Sequence, residues 1–214
     1  MTVGNIIALR QTNLVRLLGF SSIAQAGFML VPFGAAAAAN GEQLEGAFFA
    51  TVAYLLIYAV MNLGAFAVVI AVSKRIGSAE IDDWGGLFSY SPAMATLLGV
   101  FFFSLAGVPP LGGWFAKFVV FRAAISVGDG WGYTLAVIAV INAVIAFYYY
   151  ARVIKSAWMD SVPAHVDAGE VKPVPSLRLA LGMTGFGVIV LGFFPGIAAH
   201  LADLTKSVAS GIGL

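Results

Sequence analysis

The residues that could do chemistry sit in one apolar run, Ser104–Phe121 (SLAGVPPLGGWFAKFVVF). Two features set it apart. A break of small and helix-stopping residues interrupts it, carried by Gly107, Pro109, Pro110, Gly112 and Gly113, and one lysine, Lys117, follows. Proline has no N–H, so Pro109 and Pro110 leave the carbonyls of Leu105 and Ala106 without helical partners. In hydrocarbon an unpaired backbone group survives only if it is packed in protein or lines a wet cavity. An ionisable group in such a run usually faces a bundle interior or a pathway. Burial, the positive end of the helix restarting after Gly113, and Arg122 on the same half-helix all act on the protonation of Lys117. A lysine so placed can take up and release protons. It could also simply snorkel outward. Arg122 already suits the interface anchor, and five residues at ~1.5 Å each put Lys117 roughly 7–8 Å deeper.

Polar residues in neighbouring apolar runs fall at helical spacing. Thr51, Tyr54, Tyr58 and Asn62 follow steps of three, four and four and share a face. Ser21 and Ser22 lie four and three residues before Gln25, and Asn142 lies between Thr134 and Tyr149. Each stripe can be interhelical glue, worth ~0.6 kcal/mol a bond. Together with a broken lysine helix they also suit a hydrated path for protons.

The elements that must hold these residues are membrane spans. The 214 residues are 61% hydrophobic and 10% charged, against about 25% charged in an ordinary soluble domain. A spanning helix needs about 20 apolar residues, and five candidates appear, at about 17–39, 47–72, 92–127, 131–151 and 179–199. The third is the broken one. The expected fold is all-α, a polytopic helical bundle forming one transmembrane domain over 1–214. Gly4–Leu9 reads as the tail of a further helix. The connections Lys74–Ser91 and Ser156–Ser176 read as surface loops, with Glu80, Asp82 and Asp83 as solvated acids.

Basic residues give the orientation. One side carries Arg10, Arg16, Lys74, Arg75, Arg152, Lys155, Lys172 and Arg178; the other has only Arg122 and Lys206. The N-terminus is therefore expected in the cytoplasm and the C-terminus on the outer face. Tyr148, Tyr149, Tyr150 and Trp158 then fall near the cytoplasmic interface as an aromatic belt. A net charge of +1 suggests no nucleic-acid partner. The absence of cysteine excludes iron–sulfur and thiolate metal sites in this chain. No span contains Asp or Glu, His165 and His200 lie in a loop and at a helix end, and no nucleotide, hydrolase or metalloprotease motif occurs. No metal or cofactor site is expected.

The residues resemble an antiporter-like family of respiratory membrane subunits. Gly4–Met29 (GNIIALRQTNLVRLLGFSSIAQAGFM), Tyr54–Ala67 (YLLIYAVMNLGAFA), Trp84–Pro92 (WGGLFSYSP), Ser104–Phe121 and Ala146–Ile154 (AFYYYARVI) carry the likeness. It is nearest to the N subunit of bacterial complex I, the proton-translocating NADH:quinone oxidoreductase, and covers nearly the whole chain. The resemblance implies a bacterial plasma-membrane protein that packs in lipid beside the other membrane-arm subunits. NADH, FMN, iron–sulfur clusters and quinone would act elsewhere in that complex. It implies that the five spans match the family's tenth to fourteenth helices, and that Lys117 matches the lysine of the broken twelfth, on the proton exit route. Gln25, Ser21, Ser22, Tyr58, Asn62 and Asn142 would then be its hydration or hydrogen-bonding partners.

Two departures stand out. The family usually has histidine where Gln25 stands, and an amide does not titrate near neutrality. The family subunit also has about nine more helices ahead of the segment matched here. The chain is therefore expected to be a piece of a split or truncated subunit, or to be completed by a separate chain. The alternatives are a subunit of a multisubunit cation/proton antiporter or a membrane-bound hydrogenase, and a structural remnant that conducts nothing.

Overall fold

The computed structural model describes residues 1–36 and 40–211, with side chains up to Asp203. Among the described residues the elements are helical. They are α1 (Thr2–Leu9), α2 (Leu14–Ala35), α3 (Gly41–Ile76), a 3-10 turn (Ile81–Trp84), α4 (Leu87–Tyr90), α5 (Pro92–Ala106), α6 (Gly112–Ser126), α7 (Gly130–Met159), α8 (Pro175–Phe193) and α9 (Pro195–Gly211). By length and composition α2, α3, α7 and α8 can cross a membrane. The run expected as one broken span is two helices of 15 residues each, α5 and α6, joined by residues 107–111.

Local chemistry sets the helix ends. Asn13 caps α2 by accepting from the N–H groups of Val15 and Arg16. Asn40 and Gln43 form a reciprocal capping box at the start of α3, satisfying two N–H groups that the helix cannot. Gly77 closes α3 in the left-handed conformation, just after Lys74 and Arg75. Asp129 caps α7 through the Gly132 N–H at 2.6 Å. Proline opens α5, α8 and α9, where its missing N–H costs nothing.

These ends correct the expected spans. The helix of the first expected span, α2, starts at Leu14, three residues before Leu17 and just after its cap Asn13, and stops at Ala35; the expected end at Ala37–Ala39 lies outside the described residues. The last expected span, 179–199, runs through Pro195, but the helix ends at Phe193. Pro195 cannot donate to the helix and forces Phe194 off helical geometry, to φ −122° and ψ 65°. The tyrosine belt is also corrected. Tyr148 is exposed, whereas Tyr149 and Tyr150 are fully buried. Successive helical residues point about 100° apart, so three in a row cannot share one face. α7 also continues nine residues past Tyr150, to Met159.

α3 is the central post, with α2, α5, α6, α8 and α9 packed on it. Small residues let the helices approach: a Cβ on Gly64 would lie 2.1 Å from the Phe101 ring. α1 lies between α2 and α7. Arg152 holds its C-terminal end, the guanidinium donating to Leu9 O and, just past the helix, to Gln11 O. Large apolar side chains on the outer faces of α7 and α8, such as Val144 and Phe186, are exposed.

The Lys74–Ser91 connection is more than a solvated loop. Leu14 N donates to Ala79 O and Ile81 N to Thr12 O, at 2.8 and 2.7 Å, pinning it to the start of α2. Trp84 is fully buried. Only Asp82 of the three acids is exposed; Glu80 accepts from Asn13, and Asp83 bonds Ser78 and His165. The bond from Ser78, then that from His165, holds the Asp83 carboxyl below its usual pKa. A depressed carboxylate adds stability that is full at neutral pH and is lost as pH falls through its folded pKa. Hydrogen-exchange protection at Ile81–Gly86 is thus expected to fall from pH 7 toward about pH 3, below the ordinary Asp value of about 3.9. Protection that stays flat over this range would show that Asp83 does not hold the turn.

Candidate functional site: a lysine on a broken helix

The break is built from both sides. α5 ends at Gly107, whose φ of 93° suits only glycine. Pro109 and Pro110, joined by a cis bond, form the exposed apex. α6 restarts so close to the end of α5 that the Gly113 N–H donates to Ser104 Oγ at 3.0 Å. Both residues are buried. Ser104→Ala leaves that N–H without an acceptor, an expected cost of ~1–3 kcal/mol. A lower midpoint of thermal unfolding is the expected reading, and an unchanged midpoint would show that the bond adds no net stability.

Lys117 lies on the first turns of α6 and is 5% exposed. Side chains on a helix lean toward its N-terminus, and this one leans back over the break. Its Nζ donates to Leu105 O at 3.1 Å and to Ala106 O at 2.6 Å. These are the two carbonyls stripped of partners by Pro109 and Pro110. The lysine therefore closes the gap that the prolines open. The Phe28 ring completes the surroundings, its centroid 5.2 Å from Nζ. Arg122, further along α6, is exposed.

Gln25 shares one of the lysine's acceptors. Its Nε2 donates to Leu105 O at 3.2 Å and to the Tyr150 hydroxyl at 3.4 Å, while its Oε1 accepts from Tyr54. Tyr150 bonds Ser21. Tyr58 donates to Ser22 at 2.8 Å, and Ser22 donates to Leu18 O. Gln25, Ser21, Tyr54 and Tyr150 are buried. A second cluster lies between α1 and α7. Asn5 donates to Asn142 Oδ1 and to Asn142 O, at 2.9 and 3.1 Å, and accepts from Tyr149 at 3.0 Å. Asn142 donates to Thr2 and Ile138 O. The Tyr149 and Tyr150 rings touch, with centroids 4.5 Å apart, so the clusters meet.

The structure thus brings Lys117, Gln25 and Ser21 together, and Ser22 with Tyr58 beside them. Asn142 belongs to the adjoining cluster. Asn62 is half-buried and lies outside both networks. The reading from sequence missed Asn5 and Tyr150. Asn5 is one polar residue in a short apolar stretch, and nothing in its spacing marks it. Tyr150 follows Gln25 by 125 residues, a pairing that only the packing of α7 on α2 creates. Among the described residues no group of acidic or histidine side chains could hold a metal ion.

The family model described as NADH:quinone oxidoreductase/Mrp antiporter, TM, matches residues 1–146. A protein named NADH-quinone oxidoreductase subunit N 1, from Koribacter versatilis, is 42% identical over 211 residues, 98% of this chain and 39% of its own length. NADH-quinone oxidoreductase subunit N 2 from Streptomyces griseus is 48% identical over 158 residues, 71% of this chain and 28% of its own. Among solved structures, a chain of respiratory complex I from Thermus thermophilus with bound aureothin superposes with a TM-score of 0.68 at 26% identity, covering 92% of this chain and 42% of that one. A chain of the membrane-bound sulfane sulfur reductase, an archaeal respiratory membrane complex, gives 0.81 at 27% identity, covering 93% and 31%. A chain of the Mrp complex from Dietzia gives 0.80 at 18% identity, covering 94% and 43%, a likeness of fold alone. The chain spans about two fifths of the Koribacter relative's length. It belongs to the NADH:quinone oxidoreductase/Mrp antiporter transmembrane family.

Proposed function

We propose that this chain is part of an antiporter-like membrane-arm subunit of a bacterial NADH:quinone oxidoreductase, and that it contributes one end of a proton path. One observation carries the reading. A buried lysine sits on the two backbone carbonyls of a helix break, at the edge of a hydrogen-bonded polar cluster. A group held this way by neutral acceptors can release and regain a proton without losing an ion-pair partner. Lys117 is the proton carrier. Gln25, Ser21, Ser22, Tyr58 and Asn142 are its hydrogen-bonding surroundings, and Asn62 borders them.

In this reading α5 and α6 together make one broken crossing, the third of five, with the break of residues 107–113 near mid-membrane. The chain lies in the bacterial plasma membrane, its N-terminus cytoplasmic and its C-terminus outside. The exposed apolar faces of α7 and α8 meet lipid or neighbouring membrane-arm subunits. Nicotinamide, flavin, iron–sulfur and quinone chemistry belong to other subunits, and this chain moves protons in response.

The test is transport by the assembled complex in sealed vesicles. NADH oxidation with quinone should acidify one compartment, and the chain should co-purify with the complex. Sodium movement without NADH oxidation would overturn this reading. It would favour a cation/proton antiporter or a hydrogenase-like complex instead, which the likeness of fold to the Mrp complex keeps in view.

A further inference from the structure

The two carbonyls under Lys117 are not equivalent. Among the described residues Ala106 O accepts from one donor, Lys117 Nζ at 2.6 Å. Leu105 O accepts from two, Nζ at 3.1 Å and Gln25 Nε2 at 3.2 Å. A carbonyl oxygen has two lone pairs and can take both. The donors differ in kind. Lysine donates through a charge when protonated and as a neutral amine when not, and charge-assisted bonds are roughly twice as strong. A carboxamide offers the same N–H groups in either case, because it does not titrate near neutrality. Gln25 is also held in place. It is fully buried. Leu105 O can only accept, so it faces the N–H side of the amide, and Oε1 accepts from Tyr54 on α3. The second N–H donates to Tyr150 on α7 at 3.4 Å. Bonds to α5, α3 and α7 thus orient the amide that α2 presents. Phe28, three residues further along α2, faces the same lysine, its ring centroid 5.2 Å from Nζ.

We propose that Gln25 is a positioning residue that divides the work between the two carbonyls. Leu105 O is a standing anchor of α5 on α2, and Ala106 O is the contact that changes with the proton on Lys117. This rests on the reading of Lys117 as a proton carrier. When the lysine loses its proton, both of its bonds weaken. Leu105 O keeps the amide, so the end of α5 stays docked and the lysine finds the same seat when it is protonated again. Ala106 O has no such substitute. Without Gln25, the last turn of α5 would be held at Leu105 O only by the group whose charge comes and goes.

Two measurements on the intact complex test this. The first is a double-mutant cycle in hydrogen exchange, read at the Gly107 and Val108 N–H groups, which close α5 on Phe103 O. Gln25→Met and Lys117→Met each remove one donor to Leu105 O and leave the other; the double variant leaves none. Losses that Gln25→Met causes at Tyr54 and Tyr150 occur in both backgrounds and cancel. Exchange in the double variant is expected to exceed the product of the two single-variant factors by on the order of tenfold. A double variant that exchanges at that product overturns the shared anchor. The second measurement stands if the double variant fails to assemble. Infrared difference spectra between resting and pumping complex are taken with isotope-labelled backbone carbonyls, of leucine and then of alanine. Leu105→Ile and Ala106→Ser identify the two bands by removing them. In the unaltered complex the Ala106 band should shift roughly twofold further than the Leu105 band, because only Leu105 O keeps a donor of constant strength. In Gln25→Met the Leu105 shift should grow to match that of Ala106. Equal shifts in the unaltered complex, or a Leu105 shift that Gln25→Met leaves unchanged, overturn the proposal while the carrier reading survives. If neither band shifts in the unaltered complex, Lys117 keeps one protonation state throughout, and the carrier reading fails together with this inference.

Discussion

Lys117→Ala and Lys117→Arg are both expected to lower the number of protons pumped per electron in the assembled complex while electron transfer continues. The two variants separate two roles that the geometry combines. Lys117 caps Leu105 O and Ala106 O. Truncation to alanine leaves Ala106 O unsatisfied at a buried site, at ~1–3 kcal/mol, and leaves Leu105 O with the Gln25 amide alone. The alanine variant therefore loses stability as well as a titratable group, and alone it proves little. Arginine keeps the donors and the charge, but its guanidinium stays protonated at any physiological pH. A purely structural lysine would be rescued by arginine, in thermal midpoint and in pumping alike. A proton carrier would be rescued at most in midpoint. Full pumping in both variants removes the carrier role.

The contrast between these variants follows from how the break is assembled, which the sequence shows only in part. Glycine and proline spacing marks the break, and composition marks Lys117 as out of place. Both are local properties; the structure separates α5 from α6 at residues 107–111 and buries Lys117. That the lysine itself replaces the lost helical bonds is less visible, because it depends on the side chain leaning back across residues 107–111 onto another helix. The Tyr54–Tyr58 face on α3 is legible because helical periodicity is regular. Asn62 continues the same spacing yet lies outside the network, since periodicity gives a face and not its partner. Tyr150 reads as an interfacial residue because tyrosine suits interfaces; its burial follows from the rotation of α7 against α2 and α5. Asn5 gives no signal at all, since its role depends on Asn142, 137 residues away.

Gly113→Ala should be the most damaging single methyl that can be added to this chain near the break. A Cβ at Gly113 would stand 1.8 Å from Ser104 O and 3.2 Å from Met61 Sδ. The first contact is with backbone, so no rotamer change relieves it, and α5 and α6 must move apart. Overpacking of a core typically costs ~1–3 kcal/mol, and a rigid neighbour places this variant at the upper end or beyond. The movement also reaches the site. Ser104 O belongs to the turn that presents Leu105 O and Ala106 O, so separation pulls those acceptors from Lys117 and takes Ser104 Oγ from the Gly113 N–H. Two readouts should fall together, the thermal midpoint of the complex and the protons pumped per electron. Gly182→Ala is the control. Nothing lies within 4 Å of a Cβ there, and alanine favours a helix over glycine by ~1 kcal/mol, so that variant should keep both readouts. If Gly113→Ala matches Gly182→Ala, the contact between α5 and α6 is looser than 1.8 Å implies. The break then does not hold Lys117 by close packing. If the midpoint falls but pumping per electron persists in the surviving complex, the lysine keeps its proton duty without the carbonyl pair. The acceptors at Leu105 and Ala106 would then stabilise the fold and not the transfer.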